Sequence, residues 1–380
     1  MSGVQTREQL ERPAAGDVPA LARGPWPRAK RFWRAHTLVR SLALLLASAI
    51  VLVLVSEGLS EYRDLQLADG EYYFTVIAGL TVLIGLAGKI SLGHGALMMV
   101  GAYTVTLLIG NEHWPLVPAL LASVVVTAVV GVAVGAAAAR LSGPYLAGAT
   151  LAFAVGLPGL AYQYPETFGG ANGLTINPPA VPSALGSSFP LERWEAWIAG
   201  AGAVIVAFVL YNLVHSGLGR SWRAVRDNEI AATVCGLHVA RLQARAFVLS
   251  AACAGLGGGL LAVVLQLAQP GAFPPVLSFY LLAAVVIGGL GSLLGAAWGA
   301  AILVLLPNWT HDIAHSLSLP DKVAANLPLG IYGFMLIVAM LVWPSGIQGG
   351  IRALAGLLRG ALGRAAHPGP ESMTNNQEGS

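Results

Sequence analysis

Two neighbouring side chains have the types and spacing that could support nucleophilic chemistry. Ser91 and His94 lie three residues apart, and a serine activated by a nearby histidine can attack a carbonyl carbon. The sequence nevertheless has no strained GxSxG nucleophile motif. It also offers no distant histidine with an acidic partner inside an apolar run. A hydrolase built on Ser91 and His94 is therefore disfavoured.

Metal and nucleotide chemistry are also poorly supported. His311 and His315 flank Asp312 at spacings that could ligate a metal, but we interpret this segment as a solvated loop and predict no metal site. No GxxxxGK[ST] phosphate-binding loop is present. The nearest string, residues 85–90, lacks the first glycine and has Ile90 where a hydroxyl group would hold magnesium. We predict no cofactor on this chain.

The composition defines the environment in which these residues must be positioned. Of 380 residues, 56% are hydrophobic and 10% are charged, whereas globular domains are about 25% charged. The mean hydropathy is +0.70. A net charge of +3 is too small to indicate a nucleic-acid partner. The sequence predicts an all-α polytopic membrane protein in contact with lipid.

Apolar runs of about 20 residues indicate the membrane crossings. Seven crossings are predicted at 38–56, 72–88, 91–110, 115–139, 145–163, 196–214 and 246–268. The charge-free run 167–191 is rich in Gly, Pro, Asn and Ser, so it is predicted to be a structured loop and not a crossing.

The run 278–306 is too long for one comfortable crossing. A helix break between Gly288 and Gly295 would divide it into two short passes or a re-entrant hairpin. With that division, the basic residues lie on one side of the membrane except for Arg63, Arg193 and Lys322. The positive-inside rule favours this arrangement. We therefore predict about ten membrane segments, with one pair short or re-entrant and both termini cytoplasmic.

Three regions follow from this reading. Residues 1–37 form a basic cytoplasmic segment that is expected to be disordered, residues 38–345 form the membrane domain, and residues 346–380 form a cytoplasmic tail that is also expected to be disordered. Ionisable residues are nearly absent from the predicted crossings. Only Lys89 and His94 come close, and both are near the end of a crossing. Their scarcity disfavours a self-sufficient channel or secondary carrier, because such proteins usually need intramembrane charges.

The longest polar feature between crossings is the 216–245 segment. Apolar and charged residues alternate at helical spacing in its middle, which predicts a short amphipathic helix interrupted at Gly236. Such a helix could lie on the membrane surface. Its mixed charges favour docking onto a cytoplasmic partner.

Four strings resemble one family of transport proteins. They are GLAGKISLGHGAL at 85–97, AVRDNEIAA at 224–232, VIGGLGS at 286–292 and GGANGL at 169–174. Together they are similar to branched-chain amino acid permeases of the ATP-binding-cassette (ABC) importers, specifically to the second of the two permease subunits. The string EIAATVCG at 229–236 is also similar to the coupling-loop motif of ABC importer permeases. The likeness covers about residues 70–345.

The resemblance implies an ABC importer permease architecture in the bacterial plasma (inner) membrane. It also implies several partners: a sister permease subunit, two cytoplasmic ATP-binding subunits that use ATP and magnesium, and an extracytoplasmic substrate-binding protein. By the same resemblance, the 216–245 segment would contact an ATPase subunit through Arg223, Arg226, Asp227, Glu229, Ala231, Ala232 and Gly236. The substrate would be leucine, isoleucine or valine; urea or a short amide is the alternative.

The translocation path is predicted less directly. Its candidate residues are Ser91, His94, Tyr103, Gly288, Gly289 and Gly291, although helix packing would explain each of them as well. Lys89 departs from the family pattern, which more often has an uncharged polar residue there. Its side chain would either extend to the membrane interface or line the path and alter the preference for the substrate carboxylate.

Overall fold

Long apolar helices account for most of the structure. The computed structural model describes residues 37–138, 140–141, 143–186, 189–316, 320–342 and 346–366. Its main helices are α1 Thr37–Glu57, α2 Glu61–Gly85, α3 His94–Gly110, α4 Leu116–Ala138, α5 Pro144–Gln163, α6 Leu191–His215, α7 Gly217–Asp227, α8 Glu229–Val234, α9 Val239–Leu265, α10 Pro275–Gly288, α11 Leu293–Ser316, α12 Asp321–Val342 and α13 Gly346–Ala366.

Seven helices of the described residues are long and apolar enough to cross a membrane: α2, α4, α5, α6, α9, α10 with the turn before it, and α11. Helix α3 and the second half of α1 are apolar but shorter. Every crossing predicted between residues 38 and 268 corresponds to a helix. The all-α polytopic fold is thus confirmed, and the number of about ten segments stays a prediction.

The predicted break in the run 278–306 is present. Helix α10 ends at Gly288 and α11 begins at Leu293. Gly289 and Gly291 have φ angles of 124° and 75°, which L-residues with side chains rarely adopt. The chain reverses direction here and brings α11 against α10. The contact is close, since a Cβ atom on Gly288 would overlap the backbone of Gly295 on α11. The two helices therefore pack directly against each other.

The described part of residues 167–191 contains no long helix, which agrees with the predicted loop. Leu174 and Thr175 form a short strand, β1, which pairs antiparallel with β2, Leu267–Ala268. This pairing fixes the loop to the carboxyl end of α9. The loop and that end of α9 consequently lie on the same side of the helix assembly.

Two sequence-based expectations are wrong. The segment containing His311 and His315 is not a loop, because α11 continues through both residues to Ser316. In the tail, residues 346–366 form helix α13 where we expected disorder. Arg352 of α13 donates a hydrogen bond to Ser292 Oγ at 3.1 Å, so the helix is attached at the α10–α11 break. The predictions for residues 1–36 and 367–380 lie outside the described residues.

Helices α2 and α9 lie at the centre of the fold. Most of their side chains are buried, including Ile77, Leu80 and Leu83 of α2 and Phe247 and Leu260 of α9. Helix α4 instead presents a row of exposed apolar side chains, as expected for a face toward lipid or another apolar surface. The described residues from Ser41 onward belong to one compact unit.

Candidate functional site: the 216–245 segment and the turn it contacts

Capping residues explain why the 216–245 segment forms two helices. Ser216 Oγ accepts a hydrogen bond from the Leu218 amide at the start of α7, and Asn228 Oδ1 accepts one from the Ala231 amide at the start of α8. Both side chains satisfy amide groups that the helix itself leaves unpaired. The predicted interruption at Gly236 is present, and Asn228 adds a second one. Helix α9 begins at Val239, so the end of the predicted loop belongs to a crossing.

Helix α7 is held against the ends of two membrane helices. Trp222 is fully buried, and its Nε1 donates a hydrogen bond to the Leu242 carbonyl oxygen of α9 at 2.8 Å. Arg223 Nη2 donates one to the Val214 carbonyl oxygen of α6 at 2.6 Å. A displacement of α7 would therefore displace α6 and α9 as well.

Residues 86–93, between α2 and α3, form the turn that the segment contacts. Arg226 Nη1 donates a hydrogen bond to the Gly85 carbonyl oxygen just before this turn, and Arg226 also pairs with Asp227 at 2.9 Å. Lys89 Nζ, within the turn, lies 3.3 Å from Glu229 Oε1 of α8. One lysine contact thus joins the segment to the turn, and one arginine contact joins it to the residue just before the turn.

Glu229 is the residue at which three elements meet. Its Oε1 atom accepts a hydrogen bond from Gln243 Nε2 of α9 at 2.8 Å, in addition to the Lys89 contact. The Lys89 side chain is only 9% exposed. A buried ammonium group needs a compensating charge, so Glu229 explains why a lysine is stable at position 89. Lys89 is not among the residues that line the described cavities.

The outer face of α8 is apolar and exposed. Ile230 and Val234 are 79% and 83% exposed, whereas Ala232 is buried against the membrane domain. Ala231 is exposed beside Ile230. Gly236 ends this region with a φ angle of 83°, a left-handed conformation that a residue with a side chain adopts only with strain. The result is a small rigid apolar surface, which we call the α8 face: Ile230, Ala231 and Val234.

Ser91 and His94 form a buried network and do not face an open cavity. His94 Nδ1 lies 3.1 Å from Ser91 Oγ, and His94 Nε2 lies 2.7 Å from Ser250 Oγ of α9. The Gly95 amide donates to Ser278 Oγ of α10. The network joins the beginning of α3 to α9 and α10. Because Ser91 belongs to the 86–93 turn, the network connects that turn to the central helices.

Replacing His94 with alanine is expected to lower the free energy of unfolding by about 1–3 kcal/mol, because Ser91 and Ser250 would lose a buried partner. The measurement is the thermal denaturation of the protein in detergent. His215→Ala is the control, since His215 is exposed and bonds within its own helix. Equal denaturation temperatures for the two variants would contradict a structural role for this network.

Tyr103 and the glycines of the α10–α11 break occupy different environments. Tyr103 packs edge-on against Phe168, with ring centroids 5.4 Å apart, and lines a cavity of about 320 Å³ between α3 and α5. Its hydroxyl group is buried and has no hydrogen-bond partner. The break is closely packed, since Cβ atoms on Gly85 and Gly346 would overlap Gly291 and Gly289. The structure does not bring Tyr103 together with Ser91 and His94 at one cavity.

Ionisable residues inside the helices are more numerous than the sequence indicated. Helix α2 begins at Glu61, before the predicted crossing at 72, so it includes Asp64, Asp69 and Glu71. Asp64 is fully buried and pairs with Arg193 of α6 at 3.2 Å. Glu195 accepts a hydrogen bond from Gln266. Charge-free runs cannot contain such residues, so the predicted crossing begins only after Glu71.

Among the described residues, no group of three or more His, Cys, Asp or Glu side chains could hold a metal ion. The 216–245 segment combines an exposed apolar face with hydrogen bonds to the ends of α6 and α9.

A comparison with family models finds a match over most of the chain. The model described as "Branched-chain amino acid transport system / permease component" matches residues 67–340. The chain belongs to this family. The permease is 31% identical over 333 residues to LivM of Salmonella typhimurium, which is named a high-affinity branched-chain amino acid transport system permease protein; the alignment covers 80% of this chain and 73% of LivM.

Two further relatives define its position in the family. The permease is 30% identical to LivM of Escherichia coli K12, with the same coverage. It is 26% identical to LivH of Escherichia coli K12, over 74% of this chain and 92% of LivH. The predicted resemblance to the LivM-like subunit is confirmed. No solved structure matches the permease.

Proposed function

We propose that this permease forms half of the translocation path of an ABC importer for leucine, isoleucine and valine. A LivH-like sister permease supplies the other half. Two cytoplasmic ATP-binding subunits hydrolyse ATP, and an extracytoplasmic binding protein delivers the amino acid. The relatives named LivM and LivH support the permease pair, and their names support the substrate class.

The α8 face carries the proposal for ATPase coupling. Ile230 and Val234 are exposed on a helix whose other side is fixed by Ala232, Glu229 and the cap at Asn228. An exposed apolar pair on a rigid, polar segment fits a partner protein's groove. Arg226 and Asp227 border the face and would fix the register of docking more than its affinity. In this proposal the segment, both termini and Lys89 are on the cytoplasmic side of the bacterial inner membrane.

The coupling path follows from the contacts of Glu229 and Arg226. Closure of the ATPase subunits would move α7 and α8, and these helices contact the 86–93 turn, α6 and α9 directly. The turn leads to Ser91 and His94, which bind α9. Ser91, His94 and the Gly288–Gly291 break would then respond to the ATPases as hinge elements of the path, with Tyr103 at its wall.

The double variant Ile230→Asp, Val234→Asp is expected to release the ATP-binding subunits, because two carboxylates would be buried in an apolar groove. Copurification of these subunits with the permease should fall at least about tenfold, together with uptake of leucine. The conservative variant Ile230→Val, Val234→Ile is the matched control and should retain both. Normal copurification of the aspartate variant would contradict this docking site, and uptake of urea in place of leucine would favour the alternative substrate.

A further inference from the structure

A second cavity, distinct from the Tyr103 cavity, opens beside α2. It has a volume of about 510 Å³ and is lined by α2, the turn before α10, and helices α10, α11 and α12. This volume is within the range of about 300–1,000 Å³ that is typical of small-molecule sites. The cavity lies at the carboxyl end of α9, because the turn at Gly271 and Ala272 directly follows β2. It is therefore on the opposite side of the permease from the 216–245 segment.

Asp69 is the only charged residue among the described residues that line this cavity. Its Oδ1 atom is buried and has no hydrogen-bond partner, although its carboxyl group interacts with Tyr72. A buried carboxylate oxygen without a donor is unfavourable by about 1–3 kcal/mol. A ligand that brings a positively charged donor would remove this penalty. The described lining offers no Lys or Arg side chain that could do so.

The other polar groups of the lining are already engaged or are aromatic. Tyr332 Oη donates a hydrogen bond to the Leu303 carbonyl oxygen at 3.0 Å, and Asn308 Nδ2 donates one to Val304 at 3.0 Å. The rings of Tyr280 and Tyr332 lie 4.7 Å apart, centroid to centroid. Aromatic faces attract ammonium groups, so these rings and Asp69 favour the same ligand charge.

The remaining wall is apolar. It includes Leu277, Leu303, Val304 and the two prolines Pro307 and Pro328 within α11 and α12. A branched aliphatic side chain would bury its surface against these residues. One carboxylate beside an aliphatic wall is the arrangement that an aliphatic primary ammonium compound requires.

We propose that this cavity binds the ammonium group of the transported amino acid, with Asp69 as its carboxylate ligand. The inference rests on the proposed import function, in which this end of the permease faces the binding protein. The aliphatic side chain contacts Leu277 and Val304, and the amino-acid carboxylate points toward the cavity mouth. Asp69 would thus be the first group of this chain to recognise the arriving substrate.

The test uses the assembled transporter with a cysteine placed in the lining. Asn308→Cys is introduced together with Cys235→Ser, because Cys235 is exposed and Cys253 is buried. The rate of N-ethylmaleimide labelling is measured in vesicles of phosphatidylglycerol and phosphatidylcholine, which lack lipids with a primary ammonium group. Competitors are leucine, isoamylamine and 4-methylpentanoate; the last has the leucine skeleton without the ammonium group.

We expect leucine and isoamylamine to slow labelling about tenfold at saturation, and 4-methylpentanoate to have no effect. Asp69→Asn should abolish protection, and Asp69→Glu should retain it. Glu61→Gln, an exposed carboxylate at the start of the same helix, is the matched control and should behave as the unsubstituted transporter does.

The outcomes separate the two proposals. If the transporter imports leucine but neither leucine nor isoamylamine slows labelling of the Asn308→Cys variant, or if Asp69→Asn retains protection, the ammonium site is wrong while the import function stands. If leucine is not imported but isoamylamine protects in an Asp69-dependent way, the import function is wrong and the ammonium site stands. Equal protection by 4-methylpentanoate would also overturn the role of Asp69.

Discussion

Glu229→Lys is expected to reduce leucine uptake by the assembled transporter at least about tenfold. The substitution would place a second ammonium group beside Lys89, whose side chain is only 9% exposed. Breaking a buried pair costs about 3–5 kcal/mol and breaking an exposed one up to about 1 kcal/mol. Because the Glu229 side chain is 55% exposed, we expect a free-energy cost between these two values. The measurement is uptake compared with ATP hydrolysis, since lost coupling lowers their ratio.

A charge exchange distinguishes the pair from a general effect of charge. The double variant Lys89→Glu, Glu229→Lys restores opposite charges, and Gln243 can then present either its amide nitrogen or its oxygen. We expect it to recover much of the uptake. Glu112→Lys, a reversal at an exposed position far from the 216–245 segment, should be close to neutral. If the exchange variant is as defective as Glu229→Lys alone, the ion pair does not carry the coupling.

Gly258→Val is expected to prevent the permease from folding. A Cβ atom at this position of α9 would overlap the carbonyl oxygen of Met98 on α3. Overpacking against side chains costs about 1–3 kcal/mol, and a backbone group cannot rotate away as a side chain does. The measurement is the yield of monodisperse protein in detergent and its denaturation temperature.

The matched control is Gly156→Val on α5, where a Cβ atom would meet nothing within 4 Å. Both variants add the same side chain to a glycine in an apolar helix, so intrinsic helix propensity and hydrophobicity are equal. Only the space around the residue differs. Folded Gly258→Val protein in normal yield would show that α3 and α9 are not packed as described.

Several features were predictable because they depend on local sequence. The break between α10 and α11 follows from Gly288, Gly289 and Gly291 and from the placement of basic residues. Helix ends were less predictable, since hydropathy locates an apolar core and not the polar turns that continue it. This is why α2 begins at Glu61 and α11 extends through His311 and His315. Helix α13 was missed because its glycines and arginines resemble a polar tail.

The contacts of the candidate site were not predictable from one sequence. Lys89 and Glu229 are separated by more than a hundred residues, and nothing local to Lys89 indicates its partner. Similarly, His94 binds Ser250, far along the chain. Asp69 lies outside the predicted crossings, whereas the packing of α10, α11 and α12 beside α2 makes it a lining residue of a cavity. Tertiary packing, not composition, creates these environments.

The glycines of α9 restrict how this permease could evolve toward a different solute. Four glycines of α9 would each overlap a neighbouring helix if they gained a side chain. Gly255 faces α4, Gly257 faces α2, Gly258 faces α3, and Gly259 lies between α3 and α4. Side chains larger than glycine are thereby excluded at these four positions. Directed selection for a bulkier solute should recover changes around Tyr103 or Asp69, where cavities already exist, and none at these four positions. The permease can thus vary its specificity at its cavity walls while these four glycines stay fixed.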